Sequence, residues 1–197
     1  MKKLMTGAAA AIALTALAVP AQAQNSDSYK FLNAVRNGDG AQVQDLLATP
    51  NIALVNAKDL AKGEAALHIV ASQRNLSWLG FLVGKGARVD VQNREGDTPL
   101  ALAAQLGWIE GADQLLARGA AVDLANRKGE TPLILAVQRR DLPMVRLLLS
   151  QGADPKKSDR VAGYSALDYA KRDGRSASIL KALEASPAET KAQGPVR

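Results

Sequence analysis

The sequence predicts an all-α repeat solenoid, a row of helix-turn-helix units joined by β-hairpin-like loops, and three ladders of residues predict it. Gly63, Gly96 and Gly129 stand 33 residues apart and Gly163 follows after 34, opening the segments GEAALHIVA, GDTPLALAA, GETPLILAV and GYSALDYAK. A second ladder, Gly86, Gly119 and Gly152, lies in GKGA, LARGA and LSQGA with the same step. A third comprises Leu79, Ala112 and Val145, then Leu82, Leu115 and Leu148, then Val83, Leu116 and Leu149. Three ladders in one register mark an internal repeat, and a period of this length belongs to stacked helical or strand units.

Each unit can be justified from its start. Thr98-Pro99 and Thr131-Pro132 pair an N-cap hydroxyl with a proline at the first helical position, where its missing N–H costs nothing. Ala65-Ala66 and Ser165-Ala166 stand at the same places in the first full unit and the last, and the loss of Thr-Pro is expected to weaken those starts. Leu67, Leu100, Leu133 and Leu167 then point into the core. In the second helix Leu79, Leu82 and Val83 lie at i, i+3 and i+4, one stripe of a helix. Gly86, Gly119 and Gly152 follow that stripe, where a helix commonly ends on a residue of positive φ. Extended, turn-forming stretches such as VDVQNREG and VDLANRKG lead to the next unit.

The first residues, MKKLMTGAAAAIALTALAVPAQAQ, have a charged start, an apolar run and small residues at Ala21 and Ala23. That pattern is a bacterial secretory signal peptide cleaved after Ala23, rather than a membrane anchor, which needs about 20 apolar residues and a stop-transfer flank. The register then divides the chain into the signal peptide (1–23), a degenerate capping unit (24–60), three full units (61–94, 95–127, 128–160), a carboxy-terminal capping unit (161–185) and a flexible tail (186–197).

Composition removes several classes of function. The chain has no cysteine, which excludes disulfides, thiolate nucleophiles and cysteine zinc sites. Phosphate-binding glycine loops and serine-base arrangements are absent, and the 33-residue step accounts for the recurring glycines without a nucleotide. No catalytic residue, metal or cofactor is therefore expected. Without the leader the chain carries 23 basic and 19 acidic residues, net +4, and its basic excess lies beyond residue 110. That is weak beside the clustered stripe of a nucleic-acid binder, so no nucleic acid is expected.

The motif G-D-T-P-L-A-L-A-A (96–104) with L-L-A-R-G-A (115–120) and V-D (122–123), nearly repeated over 129–153, resembles the ankyrin repeat. YKFLNAVRNGDGAQVQDLLATPNIALVN fits as a degenerate first unit, so the likeness covers about residues 28–185. The resemblance implies that His68, the chain's one histidine, is structural and hydrogen-bonds between neighbouring loops. Thr98, Pro99, Thr131, Pro132, Gly86, Gly119 and Gly152 fall on the family's structural positions. Trp78 and Trp108 are expected to be half-buried packing residues.

The resemblance also implies binding through the hairpin tips and the inner face of the first helices. By register these positions are Lys62, Glu64, Ser72, Gln73, Gln92, Arg94, Glu95, Asp97, Gln105, Leu106, Arg127, Lys128, Glu130, Gln138, Arg139, Arg160 and Tyr164. Arg94, Arg127 and Arg160 form a row at successive tips, either as ordinary solvated charge or as a contact for an extended acidic partner. The expected function is a monomeric, non-enzymatic module of the bacterial periplasm that binds, protects or inhibits an exported protein partner. An envelope protein holding an anionic surface and a secreted effector or immunity-type protein are the alternatives.

Overall fold

The computed structural model describes residues 26–185, so the expected leader and tail lie outside the described residues. Among these, eleven helices follow one another with no strand. They are α1 (Asp27–Asn37), α2 (Gly40–Leu46), α3 (Ile52–Val55), α4 (Ala66–Gln73), α5 (Leu76–Gly84), α6 (Pro99–Leu106), α7 (Ile109–Ala117), α8 (Pro132–Gln138), α9 (Leu142–Ser150), α10 (Ala166–Arg172) and α11 (Ala177–Glu184). The inner helices α1, α4, α6, α8 and α10 stack in chain order, and α5, α7, α9 and α11 form an outer layer behind them. Alanines let the inner layer approach closely: Ala71, Ala101, Ala103, Ala104 and Ala136 are fully buried. None of these helices is long and apolar enough to cross a membrane.

The helix starts and two of the ladders are three devices. Thr98 Oγ1 accepts from the Ala101 N–H at 3.0 Å and Thr131 Oγ1 from Ile134 at 3.3 Å, with proline at the next position in both. Behind the outer helices, the Gly119 N–H donates to the Leu116 carbonyl at 2.9 Å and the Ala120 N–H to Leu115 at 3.0 Å, and the same pair recurs at Gly86-Ala87 and Gly152-Ala153. This double closure satisfies carbonyls that the helix end would leave orphaned, and it needs the left-handed backbone found at Gly119, φ 84°. The leucine stripe buries Leu79, Leu82, Leu115 and Leu148 completely, while Val83 and Leu149 at its edge are half-buried.

Neighbouring units are also tied by hydrogen bonds along both edges. On one edge Asn56 Oδ1 accepts from the Arg88 N–H at 2.8 Å, Asp90 Oδ1 from Ala121 at 2.9 Å and Asp123 Oδ1 from Asp154 at 3.1 Å. This is the physical role of the recurring valine-then-Asp/Asn pair. On the other edge, backbone N–H groups of Arg94, Arg127 and Arg160 donate to the carbonyls of Lys62, Glu95 and Lys128 at 2.8, 2.9 and 2.7 Å.

Four expectations change. The degenerate first unit carries an extra one-turn helix, α3, capped by Asn51 Oδ1 at 2.9 Å from the Leu54 N–H. Of the two units without Thr-Pro, the last keeps a capped start and the first does not. Ser165 Oγ accepts from the Asp168 N–H as the threonines do, and Asp168 accepts from the Ser165 N–H in return. No side chain caps the helix at Ala65, where His68 Nδ1 accepts from the Ala65 N–H and so engages a different backbone donor. Leu167 is only half-buried, because no further unit covers that face of α10. Trp108 is almost fully buried, with 5% of its surface exposed, whereas Trp78 is half-buried and meets Phe81 edge-on at 5.9 Å.

Candidate functional site

The hairpin tips are built from one recurring residue, the Asp or Asn at the base. Asn93 Oδ1 accepts from the Asp97 N–H at 2.9 Å, and Asn126 Oδ1 accepts from Lys128 and Glu130, both at 3.0 Å. Asp59 Oδ1 accepts from Lys62 at 2.7 Å. Asp159 goes furthest, taking the N–H groups of Val161, Ala162 and Gly163 on one oxygen and the Tyr169 hydroxyl on the other. Burial alone would raise the Asp159 pKa, yet the tyrosine and backbone donors prevail and hold it below the ordinary carboxylate value.

These bonds fix where each expected binding residue sits. Lys62, Arg94, Glu95, Arg127, Lys128 and Arg160 are exposed, and no hydrogen bond or ion pair engages their charged heads among the described residues. Other positions are occupied in holding neighbouring units together. Gln92 Nε2 donates to the carbonyls of Gly96 at 2.8 Å and Ala125 at 3.2 Å. Asp97 and Glu130 both accept from Asn126 Nδ2 at 3.0 Å, and Gln138 Nε2 reaches Glu130 at 3.3 Å. Gln73 Nε2 donates to the Arg36 carbonyl at 2.8 Å, and Arg139 Nη1 to the Gln105 carbonyl at 3.2 Å. The Ser72 hydroxyl turns back onto the His68 carbonyl, and Glu64 lies 3.9 Å from Arg36. Leu106 is half-buried, its carbonyl taking the Arg74 guanidinium at 2.6 Å. The Tyr164 ring packs edge-on against Tyr169 and carries the Arg172 guanidinium 4.5 Å above it. The tip row and the inner helical face are thus distinct: the first presents free charge, the second is largely a hydrogen-bonded seam.

His68 belongs to the seam. Its Nδ1 accepts from the Ala65 N–H at 3.0 Å, so the proton sits on Nε2, which donates to the Asp97 carbonyl of the next hairpin at 2.9 Å. Burial pushes the imidazole below its ordinary value of 6.5, against the Asp97 carbonyl, which favours the charged form. Protonation would also remove the acceptor for Ala65. The unfolded chain therefore binds more protons below 6.5 than the folded one, and stability falls as pH drops through that value. Because His68 is the one histidine, the effect is isolated. Urea unfolding is expected to lose about 1–2 kcal/mol between pH 7 and pH 5, given a ceiling of about 1.4 kcal/mol per pH unit for one proton. A His68→Gln protein should be flat over that interval; an equal slope would assign the loss elsewhere. No cluster of His, Asp or Glu suited to a metal ion occurs among the described residues.

Sequence reasoning missed two features of the surface. Arg74 and Arg140 occupy left-handed helix ends, φ 54° and 59°, at the register place of Gly107. Arg140 bridges to Asp173 through two bonds of 2.5 and 3.0 Å, which hold that carboxyl well below the usual carboxylate range. Leu60 and Val161, at the first and last hairpins, are 74% and 78% exposed. The sequence does carry a signal for them. The step from Asp59 to Asn93 is 34 residues, as is that from Gly129 to Gly163, so both end hairpins hold one extra residue. Beside Leu60, Tyr29 and Leu32 of α1 with Ala61 and Lys62 line a cleft of about 660 Å³.

Paired antiparallel helices, tips linked by backbone hydrogen bonds, and a 33-residue register together define the architecture. The family model described as ankyrin repeats (3 copies) matches residues 31–126 and, overlapping them, 109–192. Together those ranges run from within α1 through α11. The chain belongs to the ankyrin repeat family, whose repeats are generic protein–protein interaction modules.

Proposed function

We propose that this chain is an exported, non-enzymatic binding module of the bacterial periplasm that binds, protects or inhibits an exported protein partner through its hairpin tips and the adjoining helical face. The observation that carries this reading is the row Arg94, Arg127 and Arg160. Each backbone N–H is locked to the preceding hairpin, while each guanidinium is left exposed and unengaged among the described residues. A fixed backbone spares the cost of ordering the loop on binding, which leaves only the rotamer freedom of the arginine side chains to be lost. The leader MKKLMTGAAAAIALTALAVPAQAQ supports export.

Capture tests the reading. The processed chain, carrying an affinity handle, is incubated with periplasmic extract from the native cell and its partners are identified by mass spectrometry. A defined partner is expected at fixed stoichiometry with the wild type and at much reduced yield with Arg94, Arg127 and Arg160 all changed to Ala. Equal capture by the two proteins would remove the arginine row from the account. Non-saturating binding that collapses as salt rises would point instead to an anionic envelope surface. Fractionation of cells, with the protein followed by antibody, places it in the periplasm or outside the cell.

A further inference from the structure

We infer that the tip row takes one kind of partner element: an extended acidic segment of a protein, with a carboxylate at every third residue and an apolar side chain at one end. The inference rests on the protein-binding reading above and specifies its partner.

The hairpin bases set a common register. Arg94, Arg127 and Arg160 follow Asn93, Asn126 and Asp159 and donate to the carbonyls of Lys62, Glu95 and Lys128, so they are equivalent places on three successive tips. On the first tip the matching place is Ala61, with the extra residue Leu60 beside it. One apolar position is thus followed by three cationic ones. Lys62 and Lys128 add charge of the same sign, and Glu95 is the one carboxylate at an apex. Carboxylates sit one step inward, at Glu64, Asp97 and Glu130, where Arg36, Asn126 and Gln138 hold them. A polyanion lying deep in the groove would meet that inner acidic line. An acidic strand lying along the apices would not.

Spacing selects the conformation. Packed helices lie about 8–10 Å apart, so successive tips recur at about that interval. A polyproline-type strand rises about 3.1 Å per residue with three residues per turn, which places every third side chain on one face at about 9 Å. Carboxylates at i, i+3 and i+6 then meet Arg160, Arg127 and Arg94, or the reverse, and the next position in the series faces the apolar first tip formed by Ala61 and Leu60. Leu60 is 74% exposed and, with Tyr29, Leu32 and Ala61, forms the apolar part of the lining of a cleft of about 660 Å³ that Arg36, Lys58, Asp59, Lys62 and Glu64 also line; that apolar part is where one apolar side chain would sit.

The test uses the full processed chain and three fluorescein-labelled peptides, followed by fluorescence anisotropy at low salt. LPSEPSEPSE carries the proposed spacing, LEEEPSPSPS the same composition with the acids adjacent, and LPSQPSQPSQ no charge. The spaced peptide is expected to bind about fivefold or more tighter than the clustered one, and the uncharged one to show no saturable binding. Changing Arg94, Arg127 and Arg160 together to Gln keeps the methylenes that cover the neighbouring glycines, and should weaken the spaced peptide about tenfold without moving the thermal melt. Changing all three to Glu should transfer binding to LPSKPSKPSK. Equal affinity for spaced and clustered peptides, no loss in the Gln variant, or no anisotropy change at all would overturn the inference. So would tighter, arginine-dependent binding of inorganic polyphosphate than of the spaced peptide. If the periplasmic partner is still captured at fixed stoichiometry while the peptides fail, the protein-binding reading survives and the acidic segment falls.

Discussion

Truncating Trp108 to alanine is expected to destabilise the protein by about 3–5 kcal/mol, the usual cost of emptying a buried tryptophan site, and to lower its melting temperature by on the order of 10 °C. The reason lies in an exchange between two positions of the central unit. Trp108 stands at the N-cap of α7, where Asp39, Asn75 and Asp141 cap α2, α5 and α9 through bonds of 3.0–3.1 Å to the N–H three residues on. Three residues after it comes Gly111, at the register place of Trp78 and Met144. A β-carbon built on Gly111 would fall 2.0 Å from Cε3 of the Trp108 ring. The indole therefore lies where the side chain of residue 111 would otherwise go. The unit gives up a cap, worth about 0.5–2 kcal/mol, and recovers the buried volume from the wrong end of the turn.

A double substitution separates this account from simple loss of a large residue. Trp108→Asp alone restores a cap but leaves the hole, and Gly111→Met alone drives a side chain into the ring. Both single variants should melt well below the wild type. The pair together reproduces the arrangement of the fourth unit, Asp141 with Met144, and should recover most of the lost stability, with a coupling of a few kcal/mol. If the double variant is no more stable than the sum of the singles predicts, the exchange is not what holds α7.

This exchange also shows what the sequence could and could not disclose. Positions that repeat at 33 residues were legible because each answers a local demand that is the same in every unit: a capped start at Thr98 and Thr131, a left-handed end at Gly86 and Gly152, a leucine stripe behind. Trp108 breaks the repeat, and its burial depends on a contact across one helical turn that periodicity does not describe. His68 and Asp168 are similar. Each reaches back from the third helical position to accept the N–H of the N-cap residue, a bond added to the Ser165 cap in one unit and made without any side-chain cap at Ala65 in the other, which periodicity does not describe.

The candidate surface was legible in a different measure. Register alone placed all the expected binding residues outside the hydrophobic core, since each is exposed or half-buried. It could not separate Arg94, Arg127 and Arg160, whose heads are free, from Gln92, Asp97 and Glu130, whose heads bridge hairpins. That distinction depends on what the next unit presents, which is a three-dimensional property. The asymmetric insertions at Leu60 and Val161 were visible as two steps of 34, but they become meaningful only beside the cleft and the arginine row.

The second large effect concerns the glycine that precedes each hairpin's end, and it ties stability to the binding surface. Gly129 has φ 81°, and a β-carbon there would stand 2.6 Å from the Arg160 backbone nitrogen and 2.7 Å from its Cγ. Gly163 has a similar φ, 71°, but nothing lies within 4 Å, because no further hairpin stacks on it. Alanine at Gly163 should cost only the left-handed backbone, about 1–2 kcal/mol. Alanine at Gly129 adds overpacking against a backbone atom that cannot swing aside, about 1–3 kcal/mol more. It must also stretch or break the 2.7 Å bond from the Arg160 N–H to the Lys128 carbonyl. The Gly129→Ala protein is therefore expected to lose about 2–5 kcal/mol in urea unfolding, and the excess over Gly163→Ala measures the close approach itself. Where the variant remains folded, the last two tips are pushed apart and Arg160 leaves the register of Arg127. Binding through the row should then fall for Gly129→Ala and stay near wild type for Gly163→Ala. Equal destabilisation by the two substitutions would mean that the recurring glycine serves its own backbone angle and not the stacking of one hairpin on the next.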